Sequence, residues 1–195
     1  MTQPLLAILA LTLITPLSAL AADKPDKASA QTELNLYATA IEAWQILQKD
    51  DKALLIDVRD PVEIKFTGFA SATDIHVPWK VAATERWMDK HASWGMKANP
   101  NFEAELSAKL AELNADKNTT LIVMCRSGST RSAPVVNLLA SKGYTQAWTV
   151  VDGFEGSKLK QGNSKGVRAV DGWRNSGLPW GYKIDPAIAW QPAVQ

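Results

Sequence analysis

Thr119-Thr120-Leu121-Ile122-Val123-Met124-Cys125-Arg126-Ser127-Gly128-Ser129-Thr130-Arg131 is the stretch on which the fold turns. Thr119 to Met124 are apolar or β-branched, a composition that suits a strand buried on both faces. Cys125 ends that run, and Arg126 to Arg131 follow as a polar loop. Beyond the loop, Pro134, Val135, Leu138 and Leu139 fit a helix with proline in its first turn, which Gly143 ends. A strand thus delivers the cysteine and a helix leaves it. The sulfur then lies beside free backbone N–H groups at the positive end of a helix dipole. The guanidinium groups of Arg126 and Arg131 add to that field, and all of these favour thiolate over thiol. Gly128 lets the backbone turn tightly enough to aim its amides inward, and Ser127, Ser129 and Thr130 add hydroxyl donors. Cys125 is the expected nucleophile, and Arg126, Ser127, Gly128, Ser129, Thr130 and Arg131 form the expected anion-binding loop. The competing reading, a buried cysteine acting as a small apolar side chain, requires none of these neighbours.

Working outward, strands and helices alternate. Leu34 to Tyr37 predicts a short strand, after which Thr39 and Glu42 have the spacing of a capping box for a helix carrying Ile41, Trp44 and Leu47. Lys52 to Val58 holds Ala-Leu-Leu-Ile and reads as a buried strand ending at Asp57, and Asp74 to Val77 reads as another, closed by Pro78. From the cap candidate Asn99 and Pro100, the residues Phe102, Leu106, Leu110 and Leu113 recur at helical spacing. Ala147 to Val151 is a final strand. This order predicts an α/β domain with a mostly parallel central sheet flanked by helices. Residues 153–172 hold five glycines among Lys158, Lys160, Lys165 and Arg168 and read as an irregular surface insertion. Trp79, Trp87 and Trp94 precede the Asn99 helix and are expected to close the core or pack that connection.

The composition is that of one globular domain, 46% hydrophobic and 21% charged, in a chain of 195 residues. Lys+Arg 21 against Asp+Glu 20 leaves a formal charge of +1, too little for a nucleic-acid-binding surface. Leu5 to Ile14 is apolar and is followed by Pro16 and the small residues Ser18-Ala19-Leu20-Ala21-Ala22. Residues 1–21 are therefore read as a signal peptide cut after Ala21, although the leader has no Lys or Arg. A bilayer span needs about 20 apolar residues, and Pro16 interrupts this run too early. The protein is expected in the periplasm or outside the cell, with no stable membrane anchor after cleavage. Residues 22–33 read as a flexible lead-in, 34–182 as the folded domain and 183–195 as a C-terminal tail. Cys125 is the sole cysteine, so within its own chain it has no disulfide partner. His76 and His91 are the only histidines and neither has ligand spacing with Cys125, so neither a metal nor another cofactor is expected.

The chain resembles the rhodanese family. The likeness rests on Leu55-Ile56-Asp57-Val58-Arg59-Asp60-Pro61-Val62-Glu63, on Gly68 and Pro78, on Cys125-Arg126-Ser127-Gly128 and on Gly143-Tyr144. It extends through Asp152-Gly153-Phe154 to Trp173-Arg174-Asn175-Ser176-Gly177-Leu178-Pro179, covering roughly Leu34 to Trp180. The resemblance implies a sulfurtransferase: the cysteine thiolate attacks the outer sulfur of thiosulfate or a similar anionic donor, sulfite leaves, and a persulfide remains for a thiol or other nucleophile. It makes Cys125 the sulfur carrier and the loop amides, with Arg126 and Arg131, the anion site. Asp57 and Arg59 match the family's acidic–basic pair and are expected to support the loop.

Three departures leave alternatives open. Phe69 follows Gly68 where the family has histidine, the segment before Trp173 is stretched, and the cysteine loop is one residue longer than in common single-domain members. Thr130 can close a six-residue loop suited to sulfane sulfur. Alternatively, Cys125 and Arg131 form a cysteine, five residues, arginine pattern, resembling cell-cycle phosphatases and arsenate reductases whose larger loop fits a tetrahedral oxyanion. A phosphatase also needs a general acid, for which Asp152 and Glu155 are weak candidates. A third reading is a persulfide carrier or docking module that does not turn over with small acceptors.

Overall fold

The computed structural model describes residues 21–192. The expected signal peptide lies outside these residues except for Ala21. Thirteen strands and α-helices follow one another: β1 (Tyr37–Ala38), α1 (Ala40–Lys49), β2 (Leu54–Asp57), α2 (Pro61–Thr67), β3 (Phe69–Ala70), β4 (Thr73–His76), β5 (Lys80–Met88), β6 (Ser93–Ala98), α3 (Phe102–Glu112), β7 (Leu121–Met124), α4 (Ser132–Ser141), β8 (Ala147–Val150) and β9 (Trp180–Gly181). The main sheet has the order β1-β8-β7-β2-β4 with every pair parallel, so the expected mostly parallel sheet is present.

Alternation along the strands sorts the core into two layers. Ile56, Ile75, Leu121, Val123 and Cys125 face α3 and α4, where they meet Phe102, Leu106, Leu110, Val135, Val136 and Leu139. Leu55, Ile122, Met124 and Val150 face the other way, onto α1, Phe154 and Trp173. Every residue of β7 and β8 is buried. In a parallel sheet all the carboxyl ends lie along one edge, where ligands of open α/β sheets bind. That edge collects Asp57, His76, Cys125 and Asp152 from the ends of β2, β4, β7 and β8.

Cap chemistry sets the helix starts. Thr39 and Glu42 form the expected capping box of α1. Asp60, Pro61 and Glu63 form another at α2, a helix the sequence reading did not include. The helix expected from Asn99 begins at Phe102, because the Asn99 carboxamide oxygen accepts the Asn101 amide and holds a turn ahead of it. β5 and β6 form an antiparallel hairpin, also unexpected, off the main sheet. Of the three tryptophans in that region only Trp79 reaches the core, against Phe102. Trp87 and Trp94 are exposed and pack edge to face on each other across the hairpin.

Parts of the lead-in and of the tail make contacts with the domain. In the lead-in, Ala30 and Thr32 are buried, the Thr32 amide donates to the Tyr37 hydroxyl and the Glu33 amide to the Asn137 carboxamide. The small Ala30 side chain, inconspicuous among polar neighbours, lets this segment lie against α4. In the tail, the Trp190 indole donates to Glu105 and its amide to His76 Nδ1.

Candidate active site

Register places the cysteine. β7 pairs with β2 so that Met124 stands opposite Asp57, and the Val58 amide donates to the Met124 carbonyl, which fixes Cys125 beside the end of β2. From there the loop turns at Gly128, whose φ is +69°. A Cβ at Gly128 would stand 1.9 Å from the Val151 carbonyl oxygen, so only glycine fits. The amides of Gly128, Ser129, Thr130 and Arg131 donate to no carbonyl or side chain among the described residues, which leaves them to an anion.

Cys125 is 2% exposed, and its Sγ lies 3.4 Å from the Ser132 hydroxyl, which in turn accepts the Thr149 hydroxyl at 2.9 Å. Burial by itself pushes the Cys125 thiol up. The Arg131 guanidinium, the Ser132 hydroxyl and the amides of Ser127 and Ser132 outweigh it and hold the thiol below its ordinary value. The thiolate is the nucleophilic form of cysteine, and these neighbours favour it at Cys125. They are more than a buried structural cysteine requires.

The predicted loop residues divide. Arg126 and Thr130 are exposed, Ser127 and Ser129 half-buried, and Gly128 buried. Arg131 turns inward and is 5% exposed. Its guanidinium engages both carboxylate oxygens of Glu63, Nη2 to Oε1 at 2.8 Å and Nη1 to Oε2. The Glu63 carboxyl, which burial alone would raise, is lowered by that contact, and Arg131 is held more firmly protonated. Glu63 also accepts the Asp60 amide in the α2 capping box, so one carboxylate both starts a helix and orients the arginine beside the sulfur.

Asp57 and Arg59 stand one layer further in. Arg59 Nε and Nη2 donate to the Asp57 carboxylate at 2.6–3.0 Å, and its other donors go to the Thr67 hydroxyl and the Gly68 carbonyl. The guanidinium lies 3.9 Å from the centroid of the Phe154 ring. The Phe154 amide donates to the Cys125 carbonyl at 2.8 Å, and the Glu155 amide to the Arg126 carbonyl at 3.0 Å. The pair therefore reaches the loop through Phe154 rather than by a direct bond. Gly153 completes the contact, since a Cβ there would stand 2.5 Å from the Cys125 carbonyl oxygen.

Sequence reasoning missed Ser132, Glu63 and Phe154 as parts of this site. Asp152, a weak general-acid candidate, is engaged elsewhere: its two oxygens accept the Ala40 and Gly172 amides at 2.8 and 3.0 Å. Burial raises its pKa to about 6, and it ties α1 to the end of the insertion. His76 Nε2 donates to the Arg59 carbonyl and Nδ1 accepts the Trp190 amide, and burial holds the imidazole below its ordinary value.

A family model described as rhodanese-like domain matches residues 39–160. Rv0390 of M. tuberculosis, known as a crystal structure, is similar with a TM-score of 0.57 and 29% identity over 75% of this chain and 97% of its own. RP600 of Rickettsia prowazekii (strain Madrid E), an uncharacterized protein, is 28% identical over 141 residues, 72% of this chain and 93% of its own. The chloroplastic protein Thylakoid Rhodanese-like of Oryza sativa subsp. indica is 27% identical over 142 residues, 73% of this chain but 24% of its own.

Proposed function

The chain belongs to the rhodanese-like domain family, and from that premise we propose that it is an exported sulfurtransferase working through a persulfide on Cys125. The donor is thiosulfate or a similar small anion. The Cys125 thiolate supplies the electron pair for a bond to the donor's outer sulfur. The donor's own sulfur–sulfur bond breaks, and its electron pair leaves with sulfite. Thiolate and thiosulfate dianion thus become persulfide anion and sulfite dianion, with charge conserved. A thiol or other nucleophile then takes the outer sulfur and restores the thiolate. Unpaired amides of the loop hold the developing charge without rearranging, which is where preorganised dipoles lower a barrier most.

The single observation that carries the reading is the set of groups around Cys125: the Arg131 charge, the Ser132 hydroxyl and the amides of Ser127 and Ser132 hold the thiol down despite burial, beside a loop whose next amides are unpaired among the described residues. The same geometry weakens the oxyanion alternative. An arginine that closes a tetrahedral oxyanion site must present its forked donors to the ligand, whereas Arg131 spends them on Glu63. Asp152 has both oxygens occupied by amides and is poorly placed to serve as general acid. Export rests on the leader sequence, and the Ala22 amide donates to the Tyr37 carbonyl, a bond that a new terminal ammonium can also make.

The test is to incubate the purified protein with thiosulfate and weigh it intact beside Cys125→Ser. The parent should gain about 32 Da, one sulfur atom, and lose it again to a thiol or cyanide. The variant should gain nothing. Phosphate release from a phosphatase substrate without the mass gain would sink the proposal, and a persulfide that forms but passes to no small acceptor would make the protein a carrier.

A further inference from the structure

The segment expected to be an irregular surface insertion is rooted on the cysteine loop. Its first residues, Gly153 to Glu155, pack on and donate to the carbonyls of Cys125 and Arg126. Its last residue, Gly172, donates to Asp152, and Trp173, which follows it, donates to Gly153. Between these roots the chain makes a narrow antiparallel arm. Lys158 bridges Arg168, the Leu159 amide donates to the Val167 carbonyl at 2.8 Å, and the Ala169 amide to Ser157 at 3.2 Å.

From residue 160 to 170 the arm is exposed at every position except Arg168. The arm's lysines in that span, Lys160 and Lys165, point to solvent, while Arg168 folds back and its Nη1 donates to the Gly156 carbonyl. That places a guanidinium next to Glu155, whose amide is bonded to Arg126, the exposed arginine of the cysteine loop. The neighbourhood registers in its titration: burial and the like charge of Arg126 lower Arg168, against opposing contributions from Glu155, Cys125 and Glu63. It stays protonated, as arginine does. Bringing a second cation up to Arg126 and partly desolvating it is unfavourable by itself. An anion at the mouth offsets both costs. Arg131 cannot fill that need from below, because Glu63 already neutralises it.

We propose that Arg168 is a substrate-binding residue of the Cys125 site. With Arg126 it holds the charged end of an anionic sulfur donor while the loop amides hold the sulfur being moved. The inference rests on the sulfurtransferase reading and names the donor class more closely. In that class the negative charge sits on a group bonded to the transferred sulfur, as the sulfonate end of thiosulfate does. When the donor's sulfur–sulfur bond breaks, that group departs as the anion the two guanidinium groups already hold.

Two measurements test it on Arg168→Gln and Arg168→Lys, with the exposed Lys160→Gln as the charge-matched control on the same arm. The first is thiosulfate-dependent sulfur uptake, followed by intact mass. Arg168→Gln should raise KM about tenfold, the loss of a charged hydrogen bond, with kcat changed by less than about twofold. Arg168→Lys should recover part of the loss. The second is alkylation of Cys125 by anionic iodoacetate against neutral iodoacetamide. Arg168→Gln should lower the iodoacetate-to-iodoacetamide rate ratio, and Lys160→Gln should leave it in place. If Arg168→Gln matches Lys160→Gln in both measurements while the parent takes up sulfur, Arg168 is not part of the site. If the parent takes up no sulfur yet the alkylation ratio falls, the anion site stands and the sulfurtransferase reading is lost.

Discussion

Two arginine–carboxylate pairs flank the cysteine loop, and they differ in what they face. In Asp57–Arg59 both side chains are 0% exposed, every guanidinium nitrogen has a protein acceptor, and the guanidinium meets the Phe154 ring rather than the sulfur. In Arg131–Glu63 the side chains are 6% and 18% exposed and the guanidinium charge acts directly on the sulfur. The first pair is local, two residues apart across the end of β2. The second joins positions 68 residues apart. A closed pair can only brace, whereas a pair open on one side can also set the charge state of its neighbour.

Breaking the closed pair should have the largest effect. Arg59→Leu leaves the Asp57 carboxylate buried without its counter-charge, which costs about 3–5 kcal/mol of stability. That is a large part of the 5–15 kcal/mol typical of a native domain, roughly speaking. Urea denaturation should show the midpoint falling steeply. In whatever fraction stays folded, the pH midpoint for Cys125 alkylation should stay near the parent's, because Arg59 does not act on the sulfur directly. A large midpoint shift in that variant would erase the distinction between the pairs.

Arg131→Leu comes next. Glu63 keeps some access to water and its bond to the Asp60 amide, so the stability loss should be smaller, about 2–3 kcal/mol, below the range for a fully buried pair. Its distinctive effect is on reactivity. With the Arg131 charge gone, burial of Cys125 is opposed only by Ser132 and the amides, and the alkylation midpoint should move up. At neutral pH the thiolate fraction and the rate of sulfur uptake should fall together. Stability loss without any change in the midpoint would make Arg131 a second brace.

The contrast also separates what the sequence could tell from what it could not. β7, the cysteine loop, the start of α4 and the capping box of α1 were legible because a buried run and a cap are local patterns. The capping box at Asp60 and Glu63 was equally local but lay inside the stretch that carried the family likeness, and α2 went unread. The β5–β6 hairpin had no glycine to announce its turn: Ala92 takes the left-handed conformation there, with φ of +44°. Asp57 and Arg59 could be matched as a pair because both fall in the short stretch that carries the family likeness. Glu63 could not be matched to Arg131, nor Phe154 to Cys125, since only the tertiary fold brings them together. Arg168 looked like one more basic residue of a glycine-rich surface segment.

Glu63→Gln is the finest probe of the open pair, because it keeps the shape of the side chain and removes only its charge. The amide oxygen can still accept from Asp60 or from Arg131, so the loss at neutral pH should be about 1–2 kcal/mol, that of a weakened charged hydrogen bond. The Glu63 carboxyl is held below its ordinary value in the folded protein, so its contribution is fully present above the usual carboxylate range. It is lost as pH falls through the folded value. Denaturation measured from pH 7 downward should therefore show the gap between parent and Glu63→Gln closing on acidification, and a gap that stayed constant would mean that charge plays no part. The sulfur should respond with the opposite sign to Arg131→Leu. Removing a nearby anion while Arg131 keeps its charge leaves the thiolate better stabilised, and the Cys125 alkylation midpoint should move down. Opposite shifts from the two halves of one ion pair would mark a site whose reactivity is set by the balance between them, since a bracing pair loses stability from either side and moves the midpoint from neither.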